Sequence, residues 1–413
     1  MTVITLTEGQ QHAQDAFTEF LADPSEPVFV LKGYSGTGKS TLVRHLLEQL
    51  PALLKTVKLI CPSLPEYEVV LTATTNKAAE TLSQITNNSV STIHSFLGLR
   101  VQTDYSTGQT HLIPRDMGQI EQHIIFIDEA SYVDKNLLGI IFKKTRNCKI
   151  VFMGDPAQLT PVKSSTTPVF DANFNGAELT QVVRQAEGNP IIELSTKFRE
   201  TVTSGQFFSF TPDGHNIVHM DRDAFYKAIE KEFTDPNWQY QHSKILAWTN
   251  KCVVSYNHYV RDLVQGDPDL KPGDYAVCNK FITINRNTIK TDQMVLITSV
   301  DPAQQYGVQG KMIGIDGKFA AFMPNSLSEK KARLVQAKAE ESYDIVEKIE
   351  SRWVDLRAAY ACTINKAQGS TFDRVYIDLD DISKCNMGDQ IARMLYVAVS
   401  RARHQVFLVG DIA

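Results

Sequence analysis

Four short apolar runs in the first half of the chain are rich in valine and isoleucine: "PVFVLKG" (27–33), "YEVVLTA" (67–73), "HIIFIDE" (123–129) and "KIVFMGD" (149–155). Most of them stop at a glycine or a polar residue. Runs of this length without strict alternation predict strands buried on both faces. Between them lie stretches with helical spacing, such as "KSTLVRHLLEQL" and "KAAETLSQI". That alternation predicts a doubly wound α/β domain. A second set predicts another: "SKILAWT" (243–249), "DRVYIDL" (373–379) and "HQVFLVG" (404–410), with the helix-like "GDQIARMLYVAVSRAR" between the last two.

Two segments break the alternation. Residues 99–113, "LRVQTDYSTGQTHLI", alternate around "STG" and predict a β-hairpin inserted in the first domain. Residues 266–357 begin with the β-rich "GDYAVCNKFITI", "QMVLITSV" and "GKFAAFMP" and continue as the charged helical "SEKKARLVQAKAEESYDIVEKIESRW". They predict a small barrel carrying a helical extension, set within the second α/β domain.

Composition narrows the class without naming it. A chain of 413 residues exceeds one ordinary core. Its 43% hydrophobic and 22% charged content is that of a soluble globular protein. There is no run of 18 apolar residues and no basic-then-apolar leader, so neither a membrane span nor secretion is expected. Six scattered cysteines form no CxxC pair, which fits a reduced, cytoplasmic setting without a zinc site. A net charge of −5 disfavours holding nucleic acid by the global field, but leaves a local basic channel open.

The chemistry begins at "GYSGTGKST", which fits G-x-x-x-x-G-K-[ST] between a predicted strand and a predicted helix. Gly33, Gly36, Thr37, Gly38, Lys39, Ser40 and Thr41 would cradle a nucleotide's phosphates on backbone N–H groups and the helix N-terminus. Lys39 would contact the β- and γ-phosphates of ATP, and Ser40 would ligate Mg2+. "IIFIDEAS" places Asp128 to hold the magnesium and Glu129 to polarise the attacking water. In "FMGDPAQLTPV", Gln158 is a neutral group able to sense the γ-phosphate or the water. Gln10 is ambiguous: "TEGQ" matches a capping box, and the same amide suits an adenine edge.

These pieces, in this order, resemble superfamily 1 helicases of the 1B branch, the RecD/Dda-like group, over nearly the whole chain from Gln10 to Val409. The resemblance implies two RecA-like domains, residues 1–98 with 114–177 and residues 178–265 with 358–413. It also implies a strand-separating pin at 99–113 and an SH3-like insert at 266–357. Gln10 moves from cap towards adenine contact, and the two roles are compatible. "TATTNKAAETL" and "STIHSFLG" look like DNA-contacting motifs, with Thr75, Asn76, Lys77, Thr92 and His94 on the strand; the alternatives are a helix cap at Thr75 and a satisfied turn histidine at His94. "LTQVVRQ" puts Arg184, and "YVAVSRARHQVFLV" puts Arg401, in the place of arginine fingers; Arg403 is a surface residue or one that supports the site from behind. "TINKAQG" resembles the second domain's strand-contacting loop, with Thr363 and Lys366 on phosphates, Gln368 linking the two sites and Gly369 allowing close approach. Tyr105, near the hairpin tip, would stack on a base. The chain departs from its relatives at Asn365, where they often carry His, and at Ser400, where they carry Thr. "TDQMVLI" stands where many have an Asn-Gly turn.

The implied activity is ATP-driven 5′-to-3′ translocation on single-stranded DNA with duplex unwinding. Its alternatives are a translocase that mainly displaces proteins and, more remotely, a P-loop phosphotransferase. Expected partners are single-stranded DNA and duplex junctions, with single-strand-binding or replication proteins as candidates; a monomer is the default.

Overall fold

All four apolar runs of the first half form strands, and their side chains divide between two cores. In Val28–Gly33, Phe29 and Leu31 pack into one face with Phe17, Leu42 and Phe126, while Val28 and Val30 pack into the other with Ile125, Ile127 and Phe152. Successive side chains of a strand point to opposite faces, so a sheet sandwiched between helices needs apolar residues at every position. The sheet order is Gly176–Leu179, Val28–Gly33, Lys149–Gly154, His123–Asp128, Glu68–Ala73 and Val90–Thr92, every pairing parallel.

In this computed structural model the described residues are 6–103, 110–114, 118–160, 167–181, 188–266, 269–284 and 287–412. The chain divides into two compact units, residues 1–208 and 209–413. Helix Pro190–Ser204 belongs to the first of them. Within that unit, helix Glu8–Ala22 turns Ala13, Phe17, Phe20 and Leu21 inward, each large side chain contributing about 1.5–3 kcal/mol by burial. Its C-terminal end is held by Lys149, whose buried ammonium donates to the carbonyls of Phe20 and Glu26 at 2.8 and 2.7 Å. The predicted hairpin is present as Leu99–Thr103 paired antiparallel with Thr110–Pro114.

The second unit has its own parallel sheet, in the order Ile217–Met220, Ala402–Val409, Phe372–Asp378, Ser243–Ala247 and Ala361–Thr363. Its core gathers Phe225, Phe233, Ile245, Tyr256 and Tyr376. Set into it is an antiparallel sheet in the order Phe319–Pro324, Val308–Ile315, Met294–Gln305, Tyr275–Cys278 and Leu356–Ala358. The charged stretch after it is two helices rather than one, Leu327–Ala339 and Tyr343–Arg352. Glu341 at φ 53° breaks the run, and the Ser342 N–H turns back to the Ala337 carbonyl. No helix among the described residues is long and apolar enough to cross a membrane.

Candidate nucleotide and nucleic-acid sites

The phosphate loop connects strand Val28–Gly33 to helix Lys39–Ile60. Gly36 and Gly38 sit at φ 83° and 79°, a region that side chains rarely occupy, so both positions require glycine. A Cβ at Gly33 would lie 2.8 Å from Thr37 Oγ1 and 3.0 Å from Lys39 Cγ, so the loop closes tightly on the lysine stem. Lys39 Nζ donates to the carbonyls of Gly33 and Tyr34, the latter at 3.0 Å. Ser40 and Thr41 follow on the first helical turn, Ser40 half-buried and Thr41 exposed.

Two other strand ends meet this loop. Asp128 closes strand His123–Asp128, and its Oδ1 accepts the N–H of Glu129 at 2.8 Å. Burial pushes the Asp128 carboxyl above the usual carboxylate range, opposed by that N–H and by the charge of Lys39. Such a carboxylate gains from a cation placed on it, so this donor set fits a magnesium–nucleotide. Glu129 takes φ 54°, an uncommon backbone for a large side chain and the kind of local strain that accompanies catalytic positions. Asp155, after strand Lys149–Gly154, is fully buried and accepts the Ser35 N–H at 3.0 Å and the Ala157 N–H at 2.9 Å. It thereby pins the phosphate loop. Gln158 is buried on the same turn, its N–H donating to the Asp155 carbonyl.

Gln10 performs the cap and reaches the loop as well. Its Oε1 accepts the Thr7 N–H at 3.0 Å, its own N–H donates to Thr7 Oγ1 at 3.3 Å, and its Nε2 donates to the Thr37 carbonyl at 3.4 Å. Beside it in the loop, Tyr34 gives its hydroxyl to Glu178 at 2.9 Å, and the Arg199 guanidinium lies 3.8 Å over the ring.

The residues expected on DNA share one local design. Thr75 caps helix Asn76–Thr86, Thr92 caps Ile93–Phe96, and Thr363 caps Ile364–Ala367. In each, the hydroxyl oxygen accepts an N–H three residues on, at 3.1, 3.2 and 3.4 Å. That use leaves each hydroxyl proton available as a donor. Asn76 and Lys77 follow on the first turn, half-buried. Burial lowers the His94 pKa below its ordinary value, against the nearby Asp134 charge, so the ring is neutral at pH 7. Lys366 Nζ pairs with Asp292 Oδ1 at 2.7 Å and donates to Asn279 Oδ1 at 2.8 Å. Gln368 is buried, and Gly369 takes φ 74°.

Arg401 is 4% exposed, donating to the carbonyls of Val397 and Ser370, both at 3.1 Å, and to Ser400 Oγ at 2.8 Å. Arg403 pairs with Asp373 at the surface. Arg184 and Tyr105 lie outside the described residues.

Sequence reasoning passed over Asp155 and Thr74. "FMGD" repeats the pattern of "FIDE", a buried run ending in an acid, and that parallel was a usable signal. Thr74 had none, because its partner is remote: its Oγ1 donates to the Glu129 carbonyl at 3.0 Å and its N–H to the Asp128 carbonyl at 3.1 Å. The turn that carries Thr75 is thus bonded directly to the strand end that carries the two acids.

Comparison with known proteins bears on both units. A family model described as an AAA domain matches residues 5–220, and one described as a UvrD-like helicase C-terminal domain matches residues 358–409. The chain is 25% identical to the ATP-dependent DNA helicase dda of Enterobacteria phage T4, covering 99% of this chain and 100% of the relative. It is 24% identical to the ATP-dependent RecD2 DNA helicase of Deinococcus radiodurans, covering 92% of this chain and 47% of that protein. Among solved structures, the Pif1 helicase from Bacteroides in complex with ADP-AlF3 and ssDNA aligns with a TM-score of 0.54 at 17% identity, covering 99% and 93% of the two chains.

Proposed function

We infer the function from one premise: the chain belongs to the AAA-domain family, and within it stands with the RecD/Dda-like helicases of superfamily 1B. It is an ATP-dependent DNA helicase. The observation that carries this reading is the raised carboxyl of Asp128 beside Lys39 on a closed glycine loop, which is built for a phosphate–cation pair.

In the finer reading the two parallel sheets are RecA-like domains, the antiparallel sheet is an SH3-like insert, and the 99–113 hairpin is a pin that parts the duplex. Lys39 orients the β- and γ-phosphates, while Ser40 and Asp128 hold Mg2+, which would neutralise charge on the phosphates. Glu129 aligns the attacking water, and Gln158 senses the γ-phosphate beside it. Arg184 and Arg401 stabilise the charge of the transition state. Arg401 would exchange carbonyl partners for anionic phosphate oxygens, which a guanidinium can also meet with two parallel bonds. Thr75, Asn76, Lys77, Thr92, His94, Thr363 and Lys366 grip the strand through phosphates, so binding is independent of sequence. The Thr74–Glu129 bond gives hydrolysis a short route to that grip. Movement runs 5′ to 3′, and the protein works as a monomer at junctions of single-stranded and duplex DNA.

The test is ATP hydrolysis measured with and without single-stranded oligonucleotides of differing sequence, across salt concentrations. Stimulation by every sequence, fading as salt rises, is expected. Turnover indifferent to DNA would refute the assignment.

A further inference from the structure

Lys366, on the turn read here as a strand grip, already holds an anion. Asp292 Oδ1 lies 2.7 Å from its ammonium, with both side chains about one-third exposed, 36% for Lys366 and 37% for Asp292. Asp292 Oδ1 is screened from solvent and has no aligned hydrogen bond, so the contact is a charge pair. Asn279 Oδ1 completes the ammonium's surroundings at 2.8 Å. Lys366 comes from the short helix Ile364–Ala367, whereas Asp292 and Asn279 come from the loops flanking strand Tyr275–Cys278 and leading into Met294–Gln305. The contact therefore joins the DNA-facing turn of the parallel sheet to the antiparallel sheet.

The fold does not call for a carboxylate at position 292. Asp292 sits at φ 62°, where glycine and asparagine serve at least as well. Its backbone N–H does the structural work, donating to the Cys278 carbonyl at 2.7 Å. Asp316 offers the contrast: at φ 52° it spends its carboxylate on the Leu296 N–H at 2.8 Å, closing a turn. No such bond engages the Asp292 carboxylate, whose partner among the described residues is Lys366.

We propose that Asp292 is a built-in phosphate mimic that competes with the DNA backbone for Lys366, setting how tightly this turn holds the strand. The proposal rests on the DNA-binding reading of the turn. A single charge pair about one-third exposed is weak enough for a strand to displace, so it does not block binding. It subtracts one phosphate contact from the grip, and it returns to Lys366 when a phosphate leaves. A motor that must release its track at every step gains from such a competitor, because the lysine never waits unpaired.

The test is a double-mutant cycle on the full-length protein, read as Kd for a fluorescein-labelled oligothymidylate by anisotropy at several salt concentrations. Asp292→Asn keeps the backbone preference and removes the charge. It is expected to tighten binding about threefold to tenfold at low salt and to steepen the salt dependence by about 0.7 in log–log slope, the value for one added single-strand phosphate contact. In a Lys366→Ala background the same substitution is expected to change Kd less than about twofold. Equal tightening in both backgrounds would overturn the proposal, since Asp292 would then act through the general field alone. An unchanged Kd in the single variant would overturn it too. Wild-type protein that fails to bind the oligonucleotide would remove the DNA-binding reading itself, a result distinct from either.

Discussion

The two parallel sheets end in opposite ways at the edge where their strands finish, the usual ligand edge of such sheets. In the first unit, that edge offers donors and one carboxyl held above its ordinary range: the glycine loop, Lys39 and Asp128. In the second unit, the edge is filled by acids satisfied from within. Asp378 takes the Tyr256 hydroxyl at 2.6 Å and Arg222 at 3.0 Å. Asp381, 1% exposed, takes the N–H groups of Trp248 and Thr249 at 2.9 and 2.7 Å, the Thr249 hydroxyl at 2.8 Å and Lys384 at 3.0 Å. Burial works to raise the Asp381 carboxyl, but those Thr249 and Lys384 bonds outweigh it and hold it below the usual range. The same architecture therefore makes one edge fit for a polyphosphate with its cation, while these two acids of the other are already satisfied within the protein. The phosphate loop and its neighbouring acids belong to the first unit because of side chains and a loop, not because of the fold.

The contrast can be broken at its strongest point first. Lys39→Ala is expected to lower ATP turnover by at least about a hundredfold, comparable to deleting one preorganised transition-state donor. Strand affinity measured alongside should change less than about threefold. Loss of both together would mean that the nucleotide and strand sites are not separable as described.

The two aspartates, Asp128 and Asp381, should respond with opposite signs. For Asp128 the folded pKa is raised, so its charge costs stability once the pH is above the unfolded value, and Asp128→Asn should raise Tm while ending hydrolysis. For Asp381 the folded pKa is lowered, so its contribution is present above the unfolded value and is lost as pH falls through the folded one. Asp381→Asn should cost about 1–3 kcal/mol near pH 7, the usual penalty for stranding buried donors. Thermal melts of both variants from pH 4 to 8 check the signs; a shared sign would dissolve the distinction between the edges.

A smaller effect sharpens the account of the loop. Asp155→Ala should weaken nucleotide binding about tenfold, since the Ser35 N–H loses a charged acceptor, a contact worth roughly 1.5–3 kcal/mol. Titration with a fluorescent ATP analogue reads this directly.

Smallest is the comparison of caps. Thr249 also caps a helix, Asn250–Gln265, but its hydroxyl proton goes to Asp381, unlike those of Thr75 and Thr363. Alanine at any of the three should cost about 1 kcal/mol of stability. Oligonucleotide affinity should fall about threefold to tenfold for Thr75→Ala and Thr363→Ala, each losing one bond to a phosphate that stays hydrated, and stay unchanged for Thr249→Ala.

Much of this was legible in the sequence wherever one short segment carries its own signal. "GYSGTGKST" declared the loop and the helix after it, and the valine–isoleucine runs declared the strands. The capping box of Gln10 was equally readable, and the structure adds its reach to Thr37. What stayed hidden depends on partners far along the chain. Strands Val90–Thr92, Gly176–Leu179 and Ala361–Thr363 are three or four residues long and become strands by lying against longer neighbours. Thr74 meets Glu129 across 55 positions and Lys366 meets Asp292 across a whole inserted sheet, so neither leaves a local pattern. The break at Glu341 hides for a different reason. The residues around it favour helix on both sides, and the turn back to Ala337 overrides them.

The central claim is that nucleotide turnover at the first unit's edge drives the protein along one strand of DNA. Its most direct measurement is unwinding of two short duplexes, one with a 5′ single-stranded tail and one with a 3′ tail, in ATP and magnesium, with Lys39→Ala run beside the wild type. Opening of the 5′-tailed duplex by the wild type alone is expected. Unwinding by Lys39→Ala at the wild-type rate, or none of either duplex despite DNA-stimulated hydrolysis, would contradict it.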